Sequence, residues 1–335
     1  MKIKTLLKAL LLIGIILLFA TVNPLTIKDY VAEYISEYFP SISAPSAKPY
    51  TIEGINLGDS GELIKGKFGE PQKIYAGIEE TTWWIYEKLW IGLRNNEVVE
   101  IFYNQEKVNY GGITTGMTRA EVEKMLEFNP NPKWIIYKAS ITFTNDLDKK
   151  VLYKRGKHAL IAYYDTLDNN RLLGLRIIKP EELVVKNFFG YQYRSLYTPK
   201  FPEYKTDMAK VNRDQGEEIL LLSNIERNKK GVGPLRWSDL ASRSALKHSK
   251  DMSDHNYFSH SFSDGRTPFD LMKEQGITFR VASENIAMGY RDAIEAVYGW
   301  MNSSGHRHSL LNPDLKRLGA GVYNYYYTQH FYTPG

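Results

Sequence analysis

The chain has 335 residues, of which 43% are hydrophobic and 24% are charged, and its formal net charge is +5. This length predicts two or three domains with sizeable cores. Cysteine is absent, which excludes disulfide bonds, thiolate nucleophiles and zinc sites with cysteine ligands. No run of lysine and arginine is long enough for a nucleic-acid tract, so we expect no nucleic-acid partner. The basic charge instead suits an anionic cell envelope or membrane surface.

The N-terminus predicts export. Three lysines among the first eight residues precede an uncharged run over residues 9–22, a pattern typical of a signal peptide. The apolar run is slightly shorter than the 20 or so residues that cross a membrane, and Ala20-Thr21-Val22 is a poor cleavage site. An uncleaved anchor and, less favoured, a buried core helix are the alternatives. We therefore predict an extracytoplasmic protein, secreted or anchored to the cell membrane by residues 1–22.

Residues 23–50 are predicted to be a spacer, because prolines interrupt regular structure there. Residues 51–190 then carry a weak internal duplication, in which Ile55-Asn-Leu-Gly58-Asp-Ser60 is echoed by Ile113-Thr-Thr-Gly116-Met-Thr118. In each copy a serine or threonine two residues after glycine is placed to cap a helix. The repeat predicts two similar modules within one domain.

Each module continues with aromatic, strand-like runs and a hairpin signal. The turns are Asn95-Asn96 in the first copy and Asn169-Asn170 in the second, each between apolar runs. The sequence therefore predicts a duplicated small α+β domain. It contains no cluster of catalytic residue types, and its single histidine, His158, is expected on a strand surface.

A segment rich in tyrosine and proline, residues 190–206, predicts a second linker. A helical period begins near Asp207, where an apolar stripe includes Ile219 and Leu222. We therefore predict that residues 207–335 form a second domain that folds without the first.

Six of the seven histidines lie between residues 248 and 330, within an ordered series of motifs. The main ones are His248-Ser-Lys-Asp-Met252, Tyr257-Phe-Ser-His260, Ser283-Glu-Asn-Ile286, Trp300-Met-Asn-Ser-Ser-Gly-His306 and Tyr326-Tyr-Thr-Gln329-His-Phe331. In this order they resemble the CAP superfamily, and most closely its bacterial SCP-like branch. The preceding region resembles the CAP-associated N-terminal domain. The layout is similar to that of exported bacillar CAP-domain proteins.

The resemblance implies an α+β fold, in which a C-terminal α-β-α sandwich with an open cleft follows the duplicated domain. In many members, two histidines and two glutamates line this cleft and can hold a divalent metal. His260 matches the first histidine, and Glu284 matches the first glutamate. Ser303 and Tyr326 occupy the positions of the second glutamate and the second histidine. His306 is the best available substitute for them.

Two interpretations of these residues stay open. His260, Glu284 and His306 offer two imidazoles and one carboxylate, a candidate set for Zn²⁺ or Mg²⁺. Alternatively, His260 and Glu284 form a hydrogen-bonded pair that fixes the cleft. Tyr326 and Gln329 are expected on a terminal strand flanking the cleft.

The sequence carries no serine-hydrolase elbow, zinc-protease helix, phosphate loop or dinucleotide fingerprint. The first hypothesis is therefore a non-enzymatic binding module for a small apolar, lipid-like or envelope-derived ligand at the cell surface. The second is a metal-assisted hydrolase, with Glu284 as the base and a metal on His260 and His306. The third is a structural envelope protein. His248 is expected to pack within its helix layer or to face solvent.

Overall fold

The computed structural model describes residues 51–106, 108–146, 148–196 and 198–335. The predicted leader and the spacer after it lie outside the described residues. Over the ranges that the structure covers, no helix combines the length and the apolar character that crossing a membrane requires.

The N-terminal region is built mainly from antiparallel strands. In chain order its elements are α1 (Gly61–Phe68), β1 (Lys73–Ala76), β2 (Thr82–Ile85), β3 (Trp90–Arg94), β4 (Glu97–Tyr103), α2 (Arg119–Glu123), β5 (Lys133–Ile136), β6 (Ala139–Phe143), β7 (Lys150–Arg155), β8 (His158–Asp165), β9 (Arg171–Ile178), α3 (Pro180–Val185) and β10 (Tyr191–Arg194). Seven strands form one sheet in the order β1-β2-β3-β4-β9-β8-β7, and three form another in the order β10-β6-β5.

The predicted duplication is visible in the local structure of both copies. Ser60 caps α1, and Thr118 caps α2 with a full capping box to Glu121. Both asparagine pairs take up left-handed backbone angles in the hairpins β3–β4 and β8–β9, as tight hairpin turns require. The two copies join where β4 pairs with β9, so that they share a single large sheet.

The C-terminal region is a three-layer sandwich, as the resemblance implies. Its elements are α4 (Met208–Lys229), β11 (Arg236–Trp237), α5 (Asp239–Asp254), α6 (Pro268–Glu274), β12 (Phe279–Met288), α7 (Ala293–Met301), α8 (Ser304–Leu311), β13 (Arg317–Tyr323) and β14 (Tyr326–Pro334). The sheet order is β11-β13-β14-β12, and every pairing except β11–β13 is antiparallel.

Alternation along β14 shows that helices cover both faces of this sheet. Gln329 contacts Ser223 of α4 on one face, and His330 contacts Ser244 of α5 on the other. The helix α5 lies very close to β13, because a Cβ added at Gly319 would lie 2.0 Å from the backbone nitrogen of Ser242. Glycine in β13 therefore allows α5 to pack directly on the sheet backbone.

The two regions pack against each other through a shared apolar cluster, and independent folding of residues 207–335 stays a prediction. Tyr298 of α7 packs against Phe102 and Tyr163 of the large sheet, with ring centroids 6.3 and 5.1 Å apart. The predicted linker is also packed, since it contains β10, and the ring of Tyr204 lies 4.1 Å from the guanidinium carbon of Arg94. Tyr191, which packs against Phe143, and Tyr204 therefore contribute to packing.

Candidate functional site

Glu284 lies at the centre of a cluster of histidines on the α5 side of the sheet. It belongs to β12 and stands directly opposite His330 of β14. Its Oε2 atom lies 2.6 Å from Nδ1 of His248 and 2.8 Å from Nε2 of His330, and its Oε1 atom lies 2.7 Å from Nδ1 of His260. One carboxylate therefore accepts hydrogen bonds from three imidazole rings.

The helix α5 supplies two side chains to this cluster. Ser244 and His248 are four residues apart and so lie on one face of the helix. The hydroxyl of Ser244 lies 3.0 Å from Nδ1 of His330, while Nδ1 of His248 reaches Glu284. His248 and His330 are fully buried. The helix α5 carries the first ring itself and holds the second through the hydroxyl of Ser244.

His248 presents both ring nitrogens to oxygen atoms. Its Nε2 atom lies 3.1 Å from the carbonyl oxygen of Ser259, which can only accept a hydrogen bond. Phe262 stacks on the same ring at 4.1 Å and closes it off from solvent.

Hydrogen bonding decides the charge of Glu284. Burial on its own would raise the pKa of this carboxyl group, but hydrogen bonds from His248, His260 and His330 outweigh burial and hold the pKa well below its ordinary value. The hydrogen bond to Glu284 in turn raises the pKa of His260 above the ordinary 6.5. The cluster thus pairs the ionised carboxylate of Glu284 with the imidazole of His260, which binds a proton more readily than an ordinary histidine side chain does.

His260 is the part of the cluster that reaches solvent. Its side chain is 58% exposed, whereas that of Glu284 is 3% exposed. The ring of His306, from α8, lies beside it with the centroids 6.5 Å apart. Burial, followed by the neighbouring charge of His260, lowers the pKa of His306. The structure therefore brings His260 to Glu284 and places His306 beside His260, whereas the described residues whose donor atoms cluster closely enough for a metal are His248, Glu284 and His330.

The other two predicted cleft residues lie elsewhere. Tyr326 begins β14 opposite Met288, four residues and hence roughly 13 Å along the strand from His330. Gln329 points to the opposite face of the sheet, where it accepts a hydrogen bond from Asn285 and donates one to Ser223. Its role is in a buried amide network behind the cluster, because neighbouring strand residues face opposite sides.

Sequence reasoning missed His248 and His330 as members of the cluster. The expectation that His248 packs in the helix layer was incomplete, because its burial serves a hydrogen bond to Glu284. A usable signal was the four-residue spacing of Ser244 and His248. His330 required the register of β12 against β14, which the sequence alone does not give. His158 also differs from expectation, since it is buried and bonded to the hydroxyl of Tyr110.

The cluster has some features of a metal centre and lacks others. Donor atoms of His248, Glu284 and His330 lie within 4.8 Å of one another, and Ser259 and Ser244 hold the outer ring nitrogens, as ligands to a metal require. However, all three side chains are almost fully buried and already bonded to one another, whereas a catalytic metal needs an open position. Imidazole also does not suit Mg²⁺. The residues fit a hydrogen-bond network better than a catalytic metal site.

Comparisons with known proteins agree with the fold and the motif order. Residues 220–333 match the cysteine-rich secretory protein family, called CAP, and residues 57–189 match the CAP-associated N-terminal family. An uncharacterised membrane protein of Bacillus subtilis, YlbC, is 32% identical over 285 residues, which cover 82% of each chain. The uncharacterised protein YkwD of the same organism is 44% identical over 218 residues, which cover 64% of this chain and 80% of that protein.

Two solved structures share the overall architecture. An extracellular protein of Bacillus anthracis containing an SCP domain is 27% identical, with a TM-score of 0.77, covering 87% of this chain and 97% of that one. A cysteine-rich secretory protein of Staphylococcus aureus is 22% identical, with a TM-score of 0.72 over 86% and 95% of the two chains, and shows the fold alone. The chain therefore belongs to the cysteine-rich secretory protein family, with a CAP domain preceded by a CAP-associated N-terminal region.

Proposed function

We propose that this protein is an extracytoplasmic binding module for a small, envelope-derived amphiphile with an acidic headgroup, and that His260 is the recognition residue. The observation that carries this proposal is the hydrogen bond between the buried Glu284 and the half-exposed His260. A ring that is fixed through Nδ1 has a defined orientation and keeps Nε2 for another partner.

The chemistry of the surface around His260 supports an acidic headgroup. The hydrogen bond to Glu284 favours the cationic form of His260, and a cationic imidazole forms strong hydrogen bonds to carboxylate or phosphate oxygens. The ring of His306 stands beside it and offers a second polar contact.

An apolar portion of the ligand has a candidate contact in the same loop. Phe258 lies two residues before His260 and is 47% exposed. An exposed aromatic ring two residues along the chain from a cationic one suits a molecule with a charged head and a hydrocarbon tail. This combination favours an amphiphile over a purely polar metabolite.

The extracytoplasmic location is supported by the charged and apolar pattern of the leader. Two relatives point the same way, since YlbC is described as a membrane protein and the Bacillus anthracis structure as an extracellular protein. A ligand drawn from the membrane or envelope is within reach of a protein in this compartment.

The test compares two soluble short-chain lipids, dioctanoyl phosphatidylglycerol and dioctanoyl phosphatidylcholine, added to the full chain in detergent. We expect the anionic lipid to shift the NMR signals of the His260 ring and to bind more tightly than the zwitterionic one. His260→Gln should weaken this binding. The matched control is His308→Gln, because His308 is an exposed histidine on α8 and should leave binding unchanged.

Equal binding of both lipids, or the same loss from both variants, would contradict the proposal. The metal content of the same preparation separates it from metal-assisted hydrolysis. One divalent ion per chain that His260→Gln removes would favour the metal hypothesis, whereas a metal-free protein that binds the anionic lipid supports the binding module.

A further inference from the structure

Aromatic and apolar side chains lie together at the outer edge of the three-stranded sheet, where β10 is the last strand. Phe201, in the segment that leads to α4, packs among three tyrosine rings. Its ring centroid lies 5.7 Å from that of Tyr137 and 6.1 Å from those of Tyr191 and Tyr193. Tyr193 is 48% exposed, and Leu196, just after β10, is 86% exposed. This edge therefore presents apolar surface to solvent.

The turn between β5 and β6 belongs to the same surface. Its residues Tyr137 and Lys138 both have left-handed backbone angles, as a tight hairpin turn requires. The hydroxyl of Ser195 donates a hydrogen bond to the carbonyl oxygen of Lys138 at 3.1 Å, which ties the turn to the end of β10. We call this surface the aromatic edge, and beside Phe201 it consists of Tyr137, Lys138, Tyr193, Arg194, Leu196 and Lys200.

The two segments that build the aromatic edge are cationic. Residues 128–145 contain β5 and β6, and residues 188–202 contain β10 and Phe201. Neither segment includes an aspartate or a glutamate. Their charged residues are all cationic and all exposed, and they are Lys133, Lys138, Arg194 and Lys200. Positive charge therefore accompanies the apolar surface of this edge.

Acidic residues from other segments do not balance this charge. Glu181 and Glu182 of α3 line the same cavity as Tyr137. Glu182 is buried and accepts a hydrogen bond from Nη2 of Arg94 at 2.7 Å, so its charge is compensated inside the protein. Glu181 and Glu203, just beyond the second segment, set two acidic groups against the four cations. The remaining positive charge favours an anionic partner.

This combination of residue types suits the interfacial layer of a membrane. Tyrosine places an apolar ring and a polar hydroxyl at the level of the lipid headgroups. Lysine and arginine lay their apolar stems along the same layer and keep their charged ends in water. Leu196 adds an aliphatic side chain for the boundary with the acyl chains. A soluble polyanion would engage the cations but would leave Leu196 and the rings without a partner.

We propose that the aromatic edge docks the N-terminal region on an anionic lipid surface. Leu196 and Tyr193 enter the interfacial layer, and the cations beside them face the lipid phosphates. Docking at this edge gives the chain a defined orientation at the membrane. The edge lies in the N-terminal region, whereas the Glu284 cluster lies in the CAP domain, so this inference does not depend on the ligand proposed for His260.

The experiment exploits the absence of cysteine from the chain. Leu196→Cys in the full chain carries one environment-sensitive fluorophore. Leu167→Cys is the matched control, because Leu167 is a 50% exposed leucine in the turn between β8 and β9. Each labelled protein is added to preformed vesicles of phosphatidylcholine alone or of phosphatidylcholine mixed with phosphatidylglycerol. Comparing two positions of the same chain separates docking of the edge from any effect of residues 1–22.

We expect the fluorophore at position 196 to shift to the blue on vesicles with phosphatidylglycerol and much less on phosphatidylcholine alone. The fluorophore at position 167 should respond to neither. Since the attraction between lipid and cation is electrostatic, added salt should weaken the response at position 196.

A charge variant tests the role of the cations. Arg194→Gln, combined with Leu196→Cys, should lower the docking constant measured by vesicle titration about fivefold, as expected for one cation at an anionic lipid surface. Lys273→Gln is the matched control, because Lys273 is an exposed cation on α6 of the CAP domain and should leave docking unchanged. Melting temperatures of the variants show that each is folded.

Four results would overturn the proposal. One is a fluorophore at position 196 that phosphatidylglycerol does not affect, or that responds equally to both lipids. Another is the same response at position 167. The third is an equal effect of Arg194→Gln and Lys273→Gln on docking. The fourth is a blue shift at position 196 produced by soluble polyphosphate without vesicles, which would assign the surface to an anionic polymer. A response confined to position 196 and to the anionic lipid, and weakened by Arg194→Gln, supports it.

Discussion

Arg176 of β9 donates to Asp292, the N-cap of α7, at 2.6 Å, and this ion pair links the N-terminal region to the CAP domain in the interior of the protein. The side chain of Arg176 has no exposure and that of Asp292 has 8%. Asp292 also accepts a hydrogen bond from the backbone of Glu295 at 3.0 Å. The carboxylate of Asp292 therefore caps α7 of the CAP domain and also forms an ion pair with Arg176 of the N-terminal region.

We predict that Arg176→Met destabilises the whole chain by about 3–5 kcal/mol, because it leaves a buried carboxylate without its partner. Urea denaturation followed by circular dichroism measures this change. The matched control is Lys230→Met, since the pair of Lys230 and Asp168 also links the two regions but is one-third exposed and should be worth about 0–1 kcal/mol. Equal losses from the two variants would show that burial of Arg176 does not matter.

Glu284→Ala should destabilise the protein by about 3 kcal/mol or more, because it leaves His248 and His330 buried without their acceptor. Glu284→Gln should cost less, since the amide keeps one acceptor oxygen. Glu274→Gln serves as the control, because Glu274 pairs with Arg266 at the surface. The measurement is the free energy of unfolding from denaturant titration. A Glu284→Ala variant as stable as the control would contradict the central role of this carboxylate.

Titration of the histidine rings by NMR should separate His260 from His306. We expect the pKa of His260 above 6.5 and that of His306 below it. Glu284→Gln should lower the pKa of His260, because its anionic acceptor is gone. His260→Gln should raise the pKa of His306 by removing a neighbouring positive charge. A His260 pKa that Glu284→Gln leaves unchanged would argue against the hydrogen bond between them.

These shifts set the direction of the pH dependence of stability. Because folding raises the pKa of His260, its stabilising contribution is complete below pH 6.5 and is lost as the pH rises through the raised value. Because folding lowers the pKa of Glu284, its contribution is present above the ordinary carboxyl pKa and is lost as the pH falls through the lowered value. Denaturant titrations over a pH series should show both losses, and Glu284→Gln should remove the acid one and reduce the other, because the raised pKa of His260 depends on Glu284.

Gly321→Ala should destabilise the CAP domain and displace α5, which carries His248. A Cβ at this position would lie 2.1 Å from the backbone nitrogen of Leu246. Because the clash is with backbone, no change of side-chain rotamer can relieve it, and the helix itself must move. Gly305→Ala is the matched control, because nothing lies within 4 Å of a Cβ there and alanine favours the helix α8. We expect a large fall in melting temperature for the first variant and none for the second; similar values would contradict the close packing of α5 on β13.

The amino-acid sequence by itself determined the local features of this protein. The caps at Ser60 and Thr118 and the asparagine turns depend on residues within about four positions of one another, so a short window contains the whole signal. The order of the C-terminal motifs likewise indicated the CAP fold through the family resemblance, which also assigned His260 and Glu284 to two positions of the cleft.

Only the tertiary structure decided which distant residues come into contact in the candidate site and between the two regions. His330 reaches Glu284 through the register of two strands that are 46 residues apart in sequence, and Arg176 reaches Asp292 across 116 residues. No periodic pattern in the sequence signals either contact, because strand register and core packing are set by side chains from many separate segments. For the same reason the sequence did not reveal the contact between the two regions, where folding joins apolar side chains from both into a shared cluster and buries the ion pair between them.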